Sequence, residues 1–257
     1  MLSNSQCSLR VSDPSLTPLG LKLAETLGLP FVIDPSDALQ LVLTPSRLEL
    51  SAPSIGGPIA IDFVSGKNAH RRQFGGGRGQ PMARAIGLKK GQNPSVIDAT
   101  AGFGRDAFVM ASLGCQVTLL EQNPLLVALL QDAQHRALSD ENVAPIVSRM
   151  QIHSADAVDF LTALDPGQRP DVIYLDPMYP NRDKSALVKK DMQLLHQLVG
   201  ADTQSAELLQ VALHTAGKRV VIKRPKNAAF VADHQPTTSL SSKNTRYDIY
   251  SVQTAKA

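Results

Sequence analysis

The chain has 257 residues, 43% of them apolar, and a formal net charge of +3. That balance suits a folded protein that buries a real core, as one large domain or a medium domain with an appendage, and excludes a disordered chain. No apolar run approaches the about 20 residues needed to cross a bilayer, and two cysteines, Cys7 and Cys115, supply neither a disulfide framework nor a metal-ligand cluster.

The opening stretch, MLSNSQCSLRVSDPS, lacks the basic start and apolar middle of a secretion signal. A cytoplasmic protein with no membrane and no metal is expected, with a monomer as the default state. "LTPLGLKLAETLGL" (16–29) has the apolar spacing of a helix, "LQLVLTPSRLEL" (39–50) and "IAIDFV" (59–64) read as strands, and "PMARAIGL" (81–88) reads as a short helix opened by Pro81. Together these predict a small N-terminal α+β domain over residues 1–92, which "KKGQNPS" (89–95) separates from a second domain over 93–257. No acid lies between Phe63 and Ile97, where Lys67, Arg71, Arg72, Arg78, Arg84, Lys89 and Lys90 are all basic. Lys218, Arg219, Lys223, Arg224 and Lys226 form a second basic cluster. Local basic excess attracts polyanions, nucleic acid above all, and a solvated basic face is the alternative.

From Val96 the pattern becomes an alternation of strands and helices. "SVIDAT", "QVTLLE", "RMQIHSAD", "DVIYLD" and "KRVVIKRP" are strand-like, and "DAFVMASLG", "PLLVALLQDAQHRAL", "AVDFLTAL" and segments near 185–199 and 205–216 are helix-like. "TTSLSSKNTRYDIYSV" reads as a C-terminal antiparallel hairpin. Alternating βα units imply an α/β fold with a mostly parallel, Rossmann-like sheet, whose ligands sit at the carboxyl ends of the strands.

Four strand ends line up as one site. In "VIDATAGFGRDA", Asp98 ends a strand and Gly102 and Gly104 form the turn into a helix, where backbone can approach a ligand closely. Gly102-x-Gly104-x-x-Ala107 also fits the loose nicotinamide fingerprint. A carboxylate at Asp98, beneath that turn, repels a pyrophosphate and suits a cationic, phosphate-free cofactor such as S-adenosylmethionine. Glu121 ends the second strand and can accept from both hydroxyls of a ribose, with Gln122 lining the same pocket. After the third strand, Asp156, beside Ala155, is placed either for an adenine amino group or as the N-cap of the next helix.

The fourth strand delivers Asp176-Pro177-Met178-Tyr179. Here the sequence resembles class I S-adenosylmethionine-dependent methyltransferases that act on planar amino groups, whose loop reads Asp/Asn/Ser-Pro-Pro-aromatic; Met178 stands where the second proline often does. The delocalised lone pair of such an amine makes it a poor nucleophile. The Asp176 carboxylate and Pro177 carbonyl can accept its hydrogens and favour a tetrahedral nitrogen, while Tyr179 stacks on the base, worth about 1–3 kcal/mol. Pro177 stiffens the loop.

"AHRRQFGGGRG", "DATAGFGRDAF", "LEQNP", "YLDPMYP", "KSALVKK" and "VVIKRP" together resemble the RsmJ family of bacterial small-subunit ribosomal RNA guanine-N2 methyltransferases, from about Leu41 to Tyr250. The resemblance implies methyl transfer from S-adenosylmethionine to the N2 amine of the guanosine at position 1516 of 16S ribosomal RNA. It also implies cofactor contacts at Arg105, Asp106, Glu121, Gln122, Ala155, Asp156 and Asp176. The partner is then 16S ribosomal RNA or the small subunit. Arg71, Arg72, Arg78, Lys223 and Arg224 are the candidate phosphate contacts. "HRRQFGGGRGQ" (70–80) reads either as a mobile basic segment over the site mouth or as a packed hinge between the domains, and "KSALVKKDM" (184–192) as an RNA contact or a solvated face. Cys115 reads as core and His153 as structural. Other base amino-methyltransferases, on DNA or other RNA, would share the loop; a nicotinamide oxidoreductase or a non-catalytic RNA-binding protein would leave it unexplained.

Overall fold

A computed structural model describes residues 7–36, 38–51, 57–66, 76–177, 198 and 204–252. The N-terminal region opens with strand β1 (Cys7–Val11) and helix α1 (Thr17–Leu27), followed by β2 (Leu39–Leu43) and β3 (Leu48–Ser51). Pro18 in the first turn starts α1, and its face of small residues, Gly20 and Ala24, lies on β1. β1 runs parallel to β2, and β2 antiparallel to β3. β1 was not anticipated, because its short "CSLRV" alternation follows a polar start.

The strand expected over 59–64 is not formed. Ile59 makes one bridge to Leu50, and then Asp62 Oδ1 accepts the backbone N–H groups of Val64 (2.8 Å) and Ser65 (2.9 Å). Arg136 donates to the Ile61 carbonyl at 2.6 Å. Side chains thus satisfy a backbone that a sheet ladder would otherwise pair, and the aspartate turns the chain.

Helix α2 (Pro81–Ala85), opened by Pro81 as expected, leads to the main sheet. There β4 (Val96–Asp98), α3 (Arg105–Ser112), β5 (Val117–Glu121), α4 (Pro124–Ala137), a short α5 (Ala144–Val147), β6 (Met150–Ser154), α6 (Ala157–Thr162) and β7 (Val172–Leu175) follow in turn. They are followed by α7 (Ser205–Thr215), β8 (Arg219–Pro225), β9 (Thr238–Ser241) and β10 (Thr245–Ser251). The helix expected near 185–199 lies outside the described residues apart from Leu198. The order is β6-β5-β4-β7-β8-β10-β9, parallel from β6 to β8, with β10 antiparallel to both β8 and β9. The expected α/β fold, with its C-terminal antiparallel hairpin, is borne out.

Strand periodicity assigns the two faces. Val96, Val117, Leu119, Val172, Tyr174 and Val221 join an apolar cluster with α2, α3 and α4. Ile97, Leu120, Ile173, Leu175, Val220 and Ile222 join another with α6 and α7. The first cluster also takes in Leu9, Leu41, Leu50 and Phe63, so the small N-terminal sheet buries its apolar side on the α3/α4 layer. Cys115 lies in that cluster, where burial pushes its thiol up to about 11. The parallel strands all end at one edge, and the strand order reverses between β4 and β7, the place where sheets of this kind bind ligands.

Candidate active site

Glycines make the connection from β4 to α3. Gly102 and Gly104 both adopt left-handed backbone (φ 53° and 66°), and a Cβ on Gly104 would stand 2.8 Å from Leu130 Cδ2. Only glycine fits that conformation and that space without strain. Arg105 opens α3 with its guanidinium 5.1 Å from the centre of the Phe103 ring. The turn is held from the neighbouring strand: Glu121 Oε2 accepts from the Gly102 N–H at 2.9 Å, and Oε1 from the Asn123 N–H at 2.8 Å. The Glu121 carbonyl accepts from the Ala155 N–H at 3.1 Å, which brings the third strand end alongside, and Gln122 is exposed beside them.

Both sequence alternatives for Asp156 bear on one carboxylate, and the capping one is formed. Its Oδ1 accepts from Val158 N–H (2.8 Å) and Asp159 N–H (3.2 Å) at the start of α6. His153, on β6, is exposed and lies against the Phe160 ring.

Asp98 is buried at the end of β4, and its Oδ1 accepts from the Thr100 N–H at 3.2 Å. The Thr100 hydroxyl in turn accepts from the Asp176 N–H at 2.6 Å, so the glycine turn is pinned to the mouth of β7. Thr100 was not singled out from sequence; its place two residues beyond a strand end was the available signal. Met178 and Tyr179 lie outside the described residues, as do Arg71, Arg72 and 184–192.

Beneath the turn and Asp176 lies a charged cluster that sequence reasoning also missed. Tyr174, fully buried, donates its hydroxyl to Asp106 Oδ2 at 2.8 Å. Lys223 Nζ lies 2.8 Å from the same oxygen and 2.7 Å from Asp176 Oδ2. Alternation along the strands explains the gathering, since Asp98, Tyr174 and Lys223 share the face of Val96, Val172 and Val221. Burial pushes the Asp98 carboxyl up to about 8, with Asp106 and Asp176 adding to the rise. Burial likewise pushes Glu121 up to about 7 against the lowering pull of its backbone donors.

The candidate phosphate contacts are redistributed. Lys223 and Arg224 were both expected to face RNA at the edge of Asp176. Lys223 does reach Asp176, but its ammonium sits between two carboxylates. Arg224, next along the strand, points to the opposite face, is 5% exposed and donates to the Ala229 carbonyl at 2.7 Å. Arg78 donates to the Lys89 carbonyl (2.7 Å), Asn93 Oδ1 (2.6 Å) and the Leu113 carbonyl (3.2 Å). Gly76 and Gly77 enter this anchorage in left-handed backbone. In the described part of the 70–80 stretch, residues 76–79 are exposed, and Arg78 ties it by hydrogen bonds to 89–93 and the residue that follows α3.

Acids at the ends of three adjacent parallel strands suit a ligand that offers an ammonium, ribose hydroxyls and an adenine amine, and they oppose a pyrophosphate. Fold and donor set together define a class I S-adenosylmethionine-dependent methyltransferase, and the nicotinamide alternative falls. A family model described as "Putative SAM-dependent methyltransferase" matches residues 22–252. A protein named ribosomal RNA small subunit methyltransferase J from Nitrosococcus oceani is 51% identical over 89% of this chain and 92% of its own length. The protein of that name from Thioalkalivibrio sulfidiphilus is 46% identical over 97% and 99%. Among solved structures, the SAM-dependent methyltransferase NGO1261 from Neisseria gonorrhoeae superposes with a TM-score of 0.77 at 34% identity, covering 97% of both chains. The chain belongs to the family of ribosomal RNA small subunit methyltransferase J.

Proposed function

We propose that this protein transfers a methyl group from S-adenosylmethionine to the exocyclic N2 amine of a guanosine in small-subunit ribosomal RNA. One observation carries the amine-directed part: Asp176 opens the Asp-Pro-Met-Tyr loop with its backbone N–H on Thr100 and its carboxylate on Lys223. The relatives' shared name supports the RNA, and the family resemblance supports the guanine N2.

When bound, S-adenosylmethionine supplies an electrophilic methyl on a sulfonium. Glu121 would accept from the ribose hydroxyls and Asp156 from the adenine amine, with Gln122 and Ala155 beside them. Asp98 would face the ammonium of the methionine part, and Gly102, Gly104, Arg105 and Asp106 form the turn that closes over it. At the acceptor, the Asp176 carboxylate and the Pro177 carbonyl take the two amine hydrogens and localise the lone pair on nitrogen. The nitrogen sheds its surplus proton after it gains the methyl, and the Asp176 carboxylate offers an acceptor there. Tyr179 stacks on the base, which must be turned out of any helix or stack to reach the site. Arg71 and Arg72 meet phosphates and position the RNA without reading its sequence.

The test is incubation with methyl-labelled S-adenosylmethionine and undermethylated small-subunit RNA, naked or assembled, followed by nucleoside analysis. Label should appear in N2-methylguanosine. Label in methyladenosine, or equal uptake by DNA, would overturn the reading.

A further inference from the structure

Lys223 stands where two parts of the site meet. Asp106 is in the first turn of α3, directly after the glycine turn, and Asp176 is the first residue beyond β7. One ammonium joins their Oδ2 atoms, at 2.8 Å and 2.7 Å. Around it stand Asp98 from β4, Tyr174 from β7, Asp106 from α3 and Tyr247, its register partner on β10. Burial alone would lower the pKa of Lys223, but the two carboxylates outweigh it and keep the ammonium charged well above its ordinary range.

Asp176 is the exposed member of this group, its side chain 40% accessible against 8% for Asp106. A carboxylate at a loop entrance samples several rotamers unless something fixes it. Asp106 Oδ2 accepts from both the Tyr174 hydroxyl and the Lys223 ammonium, so the inner end of the bridge is anchored. An RNA phosphate approaching Nζ would meet the negative charge of Asp106 and Asp176 first, which argues against a phosphate contact.

We propose that Lys223 is a positioning residue, whose ammonium holds the Asp176 carboxylate in the orientation that receives the acceptor amine and ties it to the helix after the glycine turn. This rests on the role given to Asp176 above and extends it to a strand that the acceptor loop does not include.

The experiment compares wild-type, Lys223→Met, Lys223→Arg and Asp176→Asn proteins. It measures cofactor affinity by calorimetry, RNA affinity against salt concentration, and single-turnover methylation against pH. For Lys223→Met, cofactor and RNA affinities should stay within about threefold and the salt slope should not change, while the single-turnover rate falls about 100-fold. The acid limb of its rate profile should move up by about one pH unit, because a carboxylate that loses its cation binds protons more tightly. Lys223→Arg should recover part of the rate. If Lys223→Met does not fold, Lys223→Gln, which removes the charge but keeps a neutral donor, takes its place, with the same directions of change expected. An unchanged rate and profile, or a shallower salt slope with weaker RNA binding, would overturn the proposal. Asp176→Asn separates the layers: if it is inactive while Lys223→Met is normal, only the Lys223 role fails. If Asp176→Asn keeps the wild-type rate, the acceptor reading falls and the Lys223 role with it.

Discussion

Glu121 and Gly102 are joined by a 2.9 Å hydrogen bond from the Gly102 N–H to Glu121 Oε2, so the acid at the end of β5 also shapes the glycine turn after β4. Its other oxygen accepts from the Asn123 N–H. Both oxygens face donors, so Glu121→Gln is not a mild change: its amide nitrogen would confront one N–H. Calorimetric titration with S-adenosylmethionine should give an affinity loss of about tenfold or more for Gln, and a larger one for Ala. Unaltered binding by the Gln variant would contradict this place for Glu121.

The two raised carboxyls give the protein a pH dependence of definite sign. Burial pushes the Asp98 and Glu121 carboxyls up to about 8 and about 7 in the folded chain, from ordinary values of 3.8 and 4.5. The unfolded chain loses these protons first. Their contribution to the stability of the ligand-free protein is therefore fully present below the unfolded values and is lost as pH rises through 7 to 8. A cationic ligand favours the ionised forms, so cofactor affinity should rise from pH 6 to pH 8.5 with proton release on binding. Titrations in buffers of different ionisation enthalpy measure that release, and Asp98→Asn should reduce it.

Gly104→Ala puts a methyl 2.8 Å from Leu130 Cδ2 at a left-handed position (φ 66°). Backbone strain and overpacking together should cost about 2–3 kcal/mol, several degrees in Tm by calorimetry. A Tm equal to wild type would mean that the turn is looser than its packing indicates.

Arg78 and the Arg71/Arg72 pair should separate by readout. Arg78→Ala removes donors from three acceptors on 89–93 and α3, so thermal stability falls while the salt dependence of RNA binding is kept. Arg71→Gln with Arg72→Gln should do the reverse, reducing the slope of log affinity against log salt by about 1–2.

Much of this arrangement was legible in the chain. Asp98, Glu121, Asp156 and Asp176 each end a strand or stand just past one, and period-two apolar runs marked those strands. What was not legible arose from contacts across the sheet. Nothing local to Tyr174 or Asp106 indicates a shared hydrogen bond across 68 positions of sequence. The separation of Lys223 from Arg224 was available in principle, since neighbours on a strand face opposite ways, but charge density alone grouped them. The strand expected at 59–64 failed because Asp62 supplied a local turn that hydropathy does not register.

The central claim is that the methyl goes to the exocyclic amine of guanine. It is tested most directly by a small-subunit RNA in which the target guanosine is replaced by inosine, identical but for the missing N2 amine. Single-turnover incubation with labelled cofactor should methylate the guanosine RNA and leave the inosine RNA unlabelled, with both bound equally to within about threefold. Equal labelling of the two would place the reaction on another atom and contradict the account.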